Sequence, residues 1–294
     1  MFSTVFKCRN QLTQEVFACK RFTRAKMSRI SLNNLHEEIR ILSSLPHNEN
    51  IIRLHETIKT DNNFYLIVDY CNGGDMETFL DRKVVLKENE VQHIFTQVFK
   101  AMKVLREIHV IHRDIKNANI LLNFPKDGPN FLSHNRNEHL VGVKLADFGF
   151  SMVLPTDEMA STQCGTPLNM APEILNDKPY NYKVDMWSLG VTMFEALFGT
   201  TPFFGIDRED LTRNINVGLI RLPLDIKISD CCLDFLSKCL RYDYNVRISI
   251  DHALNHPFIN PDSPQYMDKI SARPIMKTFS NISTVNQSIR LKPS

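Results

Sequence analysis

Asn72-Gly73-Gly74 divides the chain into two stretches of different periodicity, and no glycine precedes it although the chain holds ten. Upstream, β-branched and aromatic residues gather in the short runs Thr4–Cys8, Glu15–Arg21, Ile51–Thr57 and Phe64–Tyr70. Polar turns stand at Arg9-Asn10-Gln11 and Asp61-Asn62-Asn63. This pattern predicts four strands. Between the second and third runs Leu32, Leu35, Ile39 and Leu42 recur at helical spacing, which predicts a helix over about 31–45 that ends before Pro46. Downstream, Val91, Ile94, Phe95, Val98, Met102 and Leu105 mark one face of a helix over about 88–109. Residues 184–198 are apolar almost all round, so that helix is expected at the centre of its lobe. Two more helices are expected near 207–217 and 230–240. The expectation is an α+β fold: a small β-rich lobe over 1–70 and a larger helical lobe over 71–260. Residues 123–140, rich in Asn, Pro, His and Gly, read as a surface insertion. The tail over 261–294, with four prolines and six serines, reads as a mobile end.

Composition narrows the class of function. Among 294 residues, 43% are hydrophobic and 23% charged, which excludes a wholly disordered chain, collagen and a coiled coil. No apolar run approaches the roughly 18 residues of a membrane span, and Met1-Phe2-Ser3-Thr4-Val5 lacks the layout of a secretory signal. The net charge of +2 gives no argument for a nucleic-acid partner. Five of the basic residues and only two acids lie in the tail, so the remaining body stands at −1. The seven cysteines are odd in number and scattered, with no CxxC pair. This points to small buried thiols in a reducing, cytoplasmic compartment.

The densest chemistry lies in His112-Arg113-Asp114-Ile115-Lys116-Asn117-Ala118-Asn119, followed by Asp147-Phe148-Gly149 and then Ala171-Pro172-Glu173. Three motifs in this order are far more specific than any one of them. By them the chain resembles the eukaryotic serine/threonine protein kinases over about residues 2–260. The resemblance implies a bilobal fold, ATP and Mg2+ as cofactors, and protein Ser/Thr hydroxyls as acceptors. Phosphoryl transfer depends on holding phosphate, metal and nucleophile in line while negative charge is neutralised. The resemblance makes Asp114 the base, sets Lys116 near the γ-phosphate, and makes Asn119 and Asp147 the metal ligands, hard oxygens that suit Mg2+. It matches Lys20 to the ATP-orienting lysine and Glu38 to its helical partner, with adjacent Glu37 as rival. Val68 falls at the gatekeeper position. Asp69 and Cys71 offer backbone groups to adenine, Asp75 a carboxylate near the ribose, and Val5, Ala18 and Leu121 the walls around the ring. Leu42, Leu54, His112 and Phe148 fall in the family's stacked spine, so His112 reads as a core residue. Glu173 is expected to pair with Arg247, and Asp185 to hold the catalytic-loop backbone.

The chain departs from the family pattern at its start. Phe2-Ser3-Thr4-Val5 matches the end of the Gly-rich loop, with Ser3 at its third glycine. The first two glycines and the first strand would precede Met1, so either the product is truncated or the protein lacks this lid. A lid-less, catalytically weak scaffold is the alternative reading, and Lys20, Asp114, Asn119 and Asp147 argue against it. A small-molecule kinase is disfavoured by Thr166 and Ala171-Pro172-Glu173. Tyr70-Cys71-Asn72-Gly73-Gly74-Asp75-Met76, Asp147-Phe148-Gly149-Phe150-Ser151, Cys164-Gly165-Thr166-Pro167 and the insertion before Asp147 make the chain most similar to the autophagy-initiating kinases. In the activation segment Thr162 takes the place of the activating phosphosite, with Ser161 as rival and Arg113 as one cation for it. Ala118, Pro167 and Met170 imply an apolar rather than a basic preference around the acceptor.

Overall fold

The computed structural model describes residues 3–83, 85–124, 142–155, 158–223 and 226–262, together with the backbone of 279–280. Four antiparallel strands, β1 (Ser3–Arg9), β2 (Val16–Thr23), β3 (Leu54–Lys59) and β4 (Asn63–Asp69), form one sheet in the order β1-β2-β4-β3. The register pairs Val5 with Lys20 and Lys20 with Leu66, and it pairs Ala18 with Val68. Directly paired residues share a face of the sheet. Val5, Ala18, Lys20, Phe22, Phe64, Leu66 and Val68 therefore line one side.

Helix α1 (Arg29–Ser44) packs against that side. Ser28 caps it by accepting the Ser31 N–H at 3.1 Å, and Leu35 joins Phe22, Phe64 and Leu66 in a small apolar core. Its inward stripe differs from the one the spacing suggests. Leu35, Glu38, Ile41 and Leu42 are buried, whereas Leu32 and Ile39 are only half-buried. A carboxylate thus sits inside the stripe, because a cation from β2 meets it there.

The run at Ile51–Thr57 does not become a strand at its start. Strand β3 begins at Leu54, after Ile51 and Ile52 have been diverted to the large lobe. Ile52 donates its N–H to the Leu145 carbonyl at 2.9 Å, and Leu145 donates to Asn50 at 2.8 Å. Both isoleucines are buried in the large lobe's core. A continuous apolar run shows that residues are buried, without showing which body buries them.

After β4 the chain passes Gly73, where a Cβ would stand 2.7 Å from the Leu122 carbonyl oxygen. It then enters α2 (Met76–Lys83), which is too short to show a clear period and was not foreseen. Helix α3 (Glu88–Glu107) buries the stripe read from the sequence. The paired strands β5 (Val110–Ile111) and β8 (Met152–Val153), and β6 (Ile120–Asn123) and β7 (Gly142–Leu145), form two short ribbons that flank the His112–Asn119 and Asp147–Gly149 segments. Helices α4 (Pro172–Leu175), α5 (Lys183–Phe198), α6 (Arg208–Val217), α7 (Asp230–Cys239) and α8 (Ile250–Leu254) complete the lobe. Helix α5 is buried at nearly every position, as its composition requires. Cys239 lies against its Gly190, where a Cβ would stand 2.8 Å from the cysteine's own. The Glu173 carboxylate is buried against Arg247 in a two-pronged pair at 2.7 and 2.9 Å. A two-residue strand at β10 (Phe279–Ser280) pairs in parallel with β9 (Ile220–Arg221). Apart from residues 123–124, 261–262 and 279–280, the expected insertion and tail lie outside the described residues.

Candidate active site

The cleft between the sheet and the helical lobe is built from three segments. From β2, the Lys20 ammonium reaches Glu38 Oε1 at 2.9 Å and Asp147 Oδ1 at 3.0 Å. Burial works against the Lys20 charge, but Glu38 and Asp147 outweigh it and hold the ammonium above its ordinary pKa. Burial also opposes the Asp147 carboxylate, and Lys20 overcomes it, so Asp147 is held below its ordinary pKa. Glu38 is pushed up by its own burial. Its rival Glu37 faces solvent and bonds to Arg40 at 2.9 Å. The choice left open by the sequence falls on Glu38.

Asp147 has a φ of 62° and Arg113 a φ of 66°, left-handed values that L-residues adopt only where the surroundings enforce them. The enforcement at Arg113 is visible. Both oxygens of buried Asp185 accept backbone N–H groups, from His112 and from Arg113, each at 2.8 Å. Burial lifts the Asp185 carboxyl, and His112 and these two bonds draw it back only in part. The His112 ring is fully buried, lies edge-on to Phe148 at 5.0 Å and approaches the Ala146 carbonyl at 3.1 Å. It acts as packing, as the sequence implied. Leu42 is buried, and Leu54 bridges the cores of the two lobes.

Four groups converge below the cleft. Thr166 donates its hydroxyl to Asp114 Oδ1 at 2.8 Å. Lys116 donates to Thr166 Oγ1 at 2.9 Å and stands 3.0 Å from Asp114 Oδ2. Asn119 donates from Nδ2 to the Asp114 carbonyl at 2.7 Å and to its carboxylate at 3.1 Å. Gly165, with a φ of 107°, lets the activation segment come this close: a Cβ there would stand 2.5 Å from the Arg113 carbonyl oxygen.

The remaining candidate residues are placed as follows. Val5 is 62% exposed on the edge strand, on the same face as half-buried Ala18 and Val68. Leu121 of β6 forms an isolated antiparallel bridge with Asp75, just before α2. Asp69 already donates its own N–H to Arg53 at 3.1 Å, and its carboxylate is taken by His55 at 2.7 Å and Lys144 at 2.9 Å. Cys71 is buried, which pushes its thiol up to about 11. Asp75 caps α2 by accepting the Thr78 N–H at 2.8 Å and its hydroxyl at 3.0 Å, a duty the sequence reading did not assign. Ser161 and Thr162 are exposed.

The protein kinase domain family matches residues 1–259. The chain belongs to this family. It is 34% identical over 261 residues to the serine/threonine-protein kinase ATG1c of Arabidopsis thaliana, a match covering 88% of this chain and 34% of the relative. It is 32% identical over 260 residues to the serine/threonine-protein kinase ULK1 of Homo sapiens, covering 88% and 24%. It is 35% identical over 262 residues to the serine/threonine-protein kinase ULK3 of Rattus norvegicus, covering 88% and 52%. The chain thus spans between about a quarter and about a half of these relatives' lengths.

Within this kinase domain, three supporting residues escaped the sequence reading. The Tyr180 hydroxyl receives Arg113 at 3.1 Å and donates to the Thr162 carbonyl at 2.7 Å, linking catalytic loop to activation segment. Asn117 donates to Glu195 of α5 at 2.7 Å. Arg208 at the start of α6 bonds the Gln163 side chain at 2.8 Å and the Leu175 carbonyl at 2.7 Å. These are long-range pairings with no local signature. No helix among the described residues is long and apolar enough to cross a membrane.

Proposed function

We propose that the chain transfers the γ-phosphoryl group of Mg·ATP to serine or threonine hydroxyls of proteins. The observation that carries the reading is the convergence of Asp114, Lys116, Asn119 and Thr166 beneath the Lys20–Glu38–Asp147 triad. Asp114, oriented by Asn119, accepts the acceptor hydroxyl's proton. Lys116 supplies a cation beside it, and Lys20, fixed by Glu38, orients the nucleotide phosphates. Mg·ATP supplies the transferred group and the metal charge that neutralises it. The donor set suits that metal: Asp147 Oδ2 and Asn119 Oδ1 accept no hydrogen bond among the described residues, so two hard oxygens remain for it. Val5, Ala18, Val68 and Leu121 enclose the adenine, with backbone groups of Asp69 and Cys71 at its edge. Asp75 serves the ribose only if it gives up its capping bonds. The division into lobes near residue 70 and a separate tail from 261 belong to the same reading. So does a cytoplasmic setting, which the seven free thiols favour.

Phosphate transfer to a generic Ser/Thr protein substrate, measured with wild type, Asp147→Ala and Asp114→Ala, tests the assignment. Each variant is expected to lose at least about a hundredfold in rate while keeping its melting temperature. Activity undiminished in Asp147→Ala would overturn it. The scaffold reading rests on the missing glycines and is not better supported, since the similar proteins are named serine/threonine-protein kinases.

The likeness to the ATG1 and ULK kinases supports a place in autophagy-type signalling. Activation by phosphate on Thr162, or else on Ser161, fits the Arg113–Tyr180–Thr162 linkage, since a phosphate there can draw the Arg113 guanidinium from its neutral partners. Mass spectrometry of active protein is expected to find Thr162 modified, and finding both residues unmodified excludes the device.

A further inference from the structure

Positions 3–33 hold seven basic residues and a single acid, Glu15, whereas the rest of the chain holds 28 basic and 32 acidic residues. Only Lys20 of these seven enters the cleft. At the far end of the small lobe Arg21, Arg24, Lys26 and Arg29 follow one another through the end of β2, a short 3-10 turn and the start of α1. Lys59, at the end of β3, joins them: Arg24 and Lys59 both lie over the Phe64 ring, at 5.6 and 5.8 Å. Arg24 spends its guanidinium on the backbone carbonyls of Thr60 and Asp61. Among the described residues none of these five cations has a carboxylate partner, and Asp61 in the adjoining turn offers only its carbonyl. The first turn of α1 also holds no acid. Like charges gathered without counter-charge repel one another and disfavour the compact state unless an anion answers them.

An apolar side chain stands among the cations. Ile30 is 74% exposed one residue beyond Arg29, whereas Arg21, stacked over Phe6 at 4.8 Å, and exposed Ile58 lie on the other face of the sheet from Lys59. We propose that this end of the small lobe docks on an anionic lipid surface, with Lys26, Arg29 and Lys59 over the headgroups and Ile30 inserted at the boundary. These exposed cations project from the end of β3, a turn and a helix start, and such a spread suits an extended charged plane. Basic clusters with interspersed apolar groups bind anionic bilayers through both terms. The chain's own tail cannot cover the patch, because it is itself basic.

The test is sedimentation of the full chain with phosphatidylcholine vesicles, with and without about a third phosphatidylserine. Binding to the anionic vesicles alone is expected, falling steeply as salt rises. The triple variant Lys26→Glu/Arg29→Glu/Lys59→Glu is expected to lose at least about tenfold in partitioning, and Ile30→Ser several-fold. Both should keep the wild-type melting temperature and the wild-type activity on a soluble peptide. Should the triple variant melt early, the single variants Lys26→Gln and Arg29→Gln carry the comparison. Equal binding by the charge-reversed variant, equal binding to neutral vesicles, or tighter binding to poly-glutamate or RNA than to the anionic vesicles would each overturn the proposal.

Discussion

Glu37 and Glu38 are the same side chain in adjacent positions, and 100° of helix separates their fates. Glu38 lies inside α1's buried stripe on Lys20, and one of its oxygens, Oε2, has no hydrogen-bond partner. Glu37 is tied to Arg40 at the surface. Replacing Glu38 by Gln removes the charge that fixes Lys20 in place. We expect kcat/KM to fall roughly tenfold to a hundredfold, since small misplacements of an orienting group cost that much. Glu37→Gln should stay within about twofold, because exposed pairs contribute little. Equal losses in the two variants would show that the triad geometry does not matter to the rate. The left-handed Arg113 and the close approach at Gly165 make the same point about precision: the proposed catalytic groups are held by tightly constrained backbone.

Among the elements, the pairing of α7 with the chain after α8 carries a pH dependence. Asp234 of α7 meets His256 Nε2 at 3.0 Å and Lys238 at 2.6 Å. Burial works to raise its carboxyl, but these partners win and hold it down to about 2. A depressed carboxyl contributes stability that is fully present above its unfolded pKa, near 4, and is lost as pH falls towards 2. With partial exposure discounted, the contribution is on the order of 1 kcal/mol. Asp234→Asn should therefore melt a few degrees lower at pH 7, and the gap should close between about pH 4 and 2. A gap that persists at pH 2 would refute this account. Helix α3 was legible from its repeating apolar stripe, α5 from a run apolar almost all round, and the four strands from β-rich runs set off by polar turns. The α2 turn, the β5–β8 and β6–β7 ribbons and the true start of β3 carry no such local mark, because partners distant in sequence set them. The proposed catalytic residues stood out by motif and order, whereas Tyr180, Asn117 and Arg208 are ordinary residue types made important by position alone.

At the scale of the whole molecule, the proposed function sets the acceptor peptide where the activation segment meets the large lobe. Ala118 offers no carboxylate beside Asn119, and Asp75 is engaged at the start of α2. An unpaired arginine placed there would be desolvated without return, whereas an apolar side chain gains roughly 25 cal/mol per Å2 of surface removed from water. Pro167 begins a 3-10 turn that ends at Asn169, with Met170 as its C-cap; Pro167 is exposed and Met170 half-buried. A positional peptide library is expected to select apolar residues three before and one after the acceptor. Strong selection of arginine three before it would contradict this.

The diversion of Asn50–Ile52 onto Leu145 has a mechanical consequence. Main-chain bonds join the lobes there, and a side-chain bridge joins them again where Lys144 meets Asp69 at 2.9 Å. Both fastenings sit at the end of β7 and act as a rivet: any relative motion of the lobes that keeps these bonds has to turn about Lys144–Leu145 rather than slide past it.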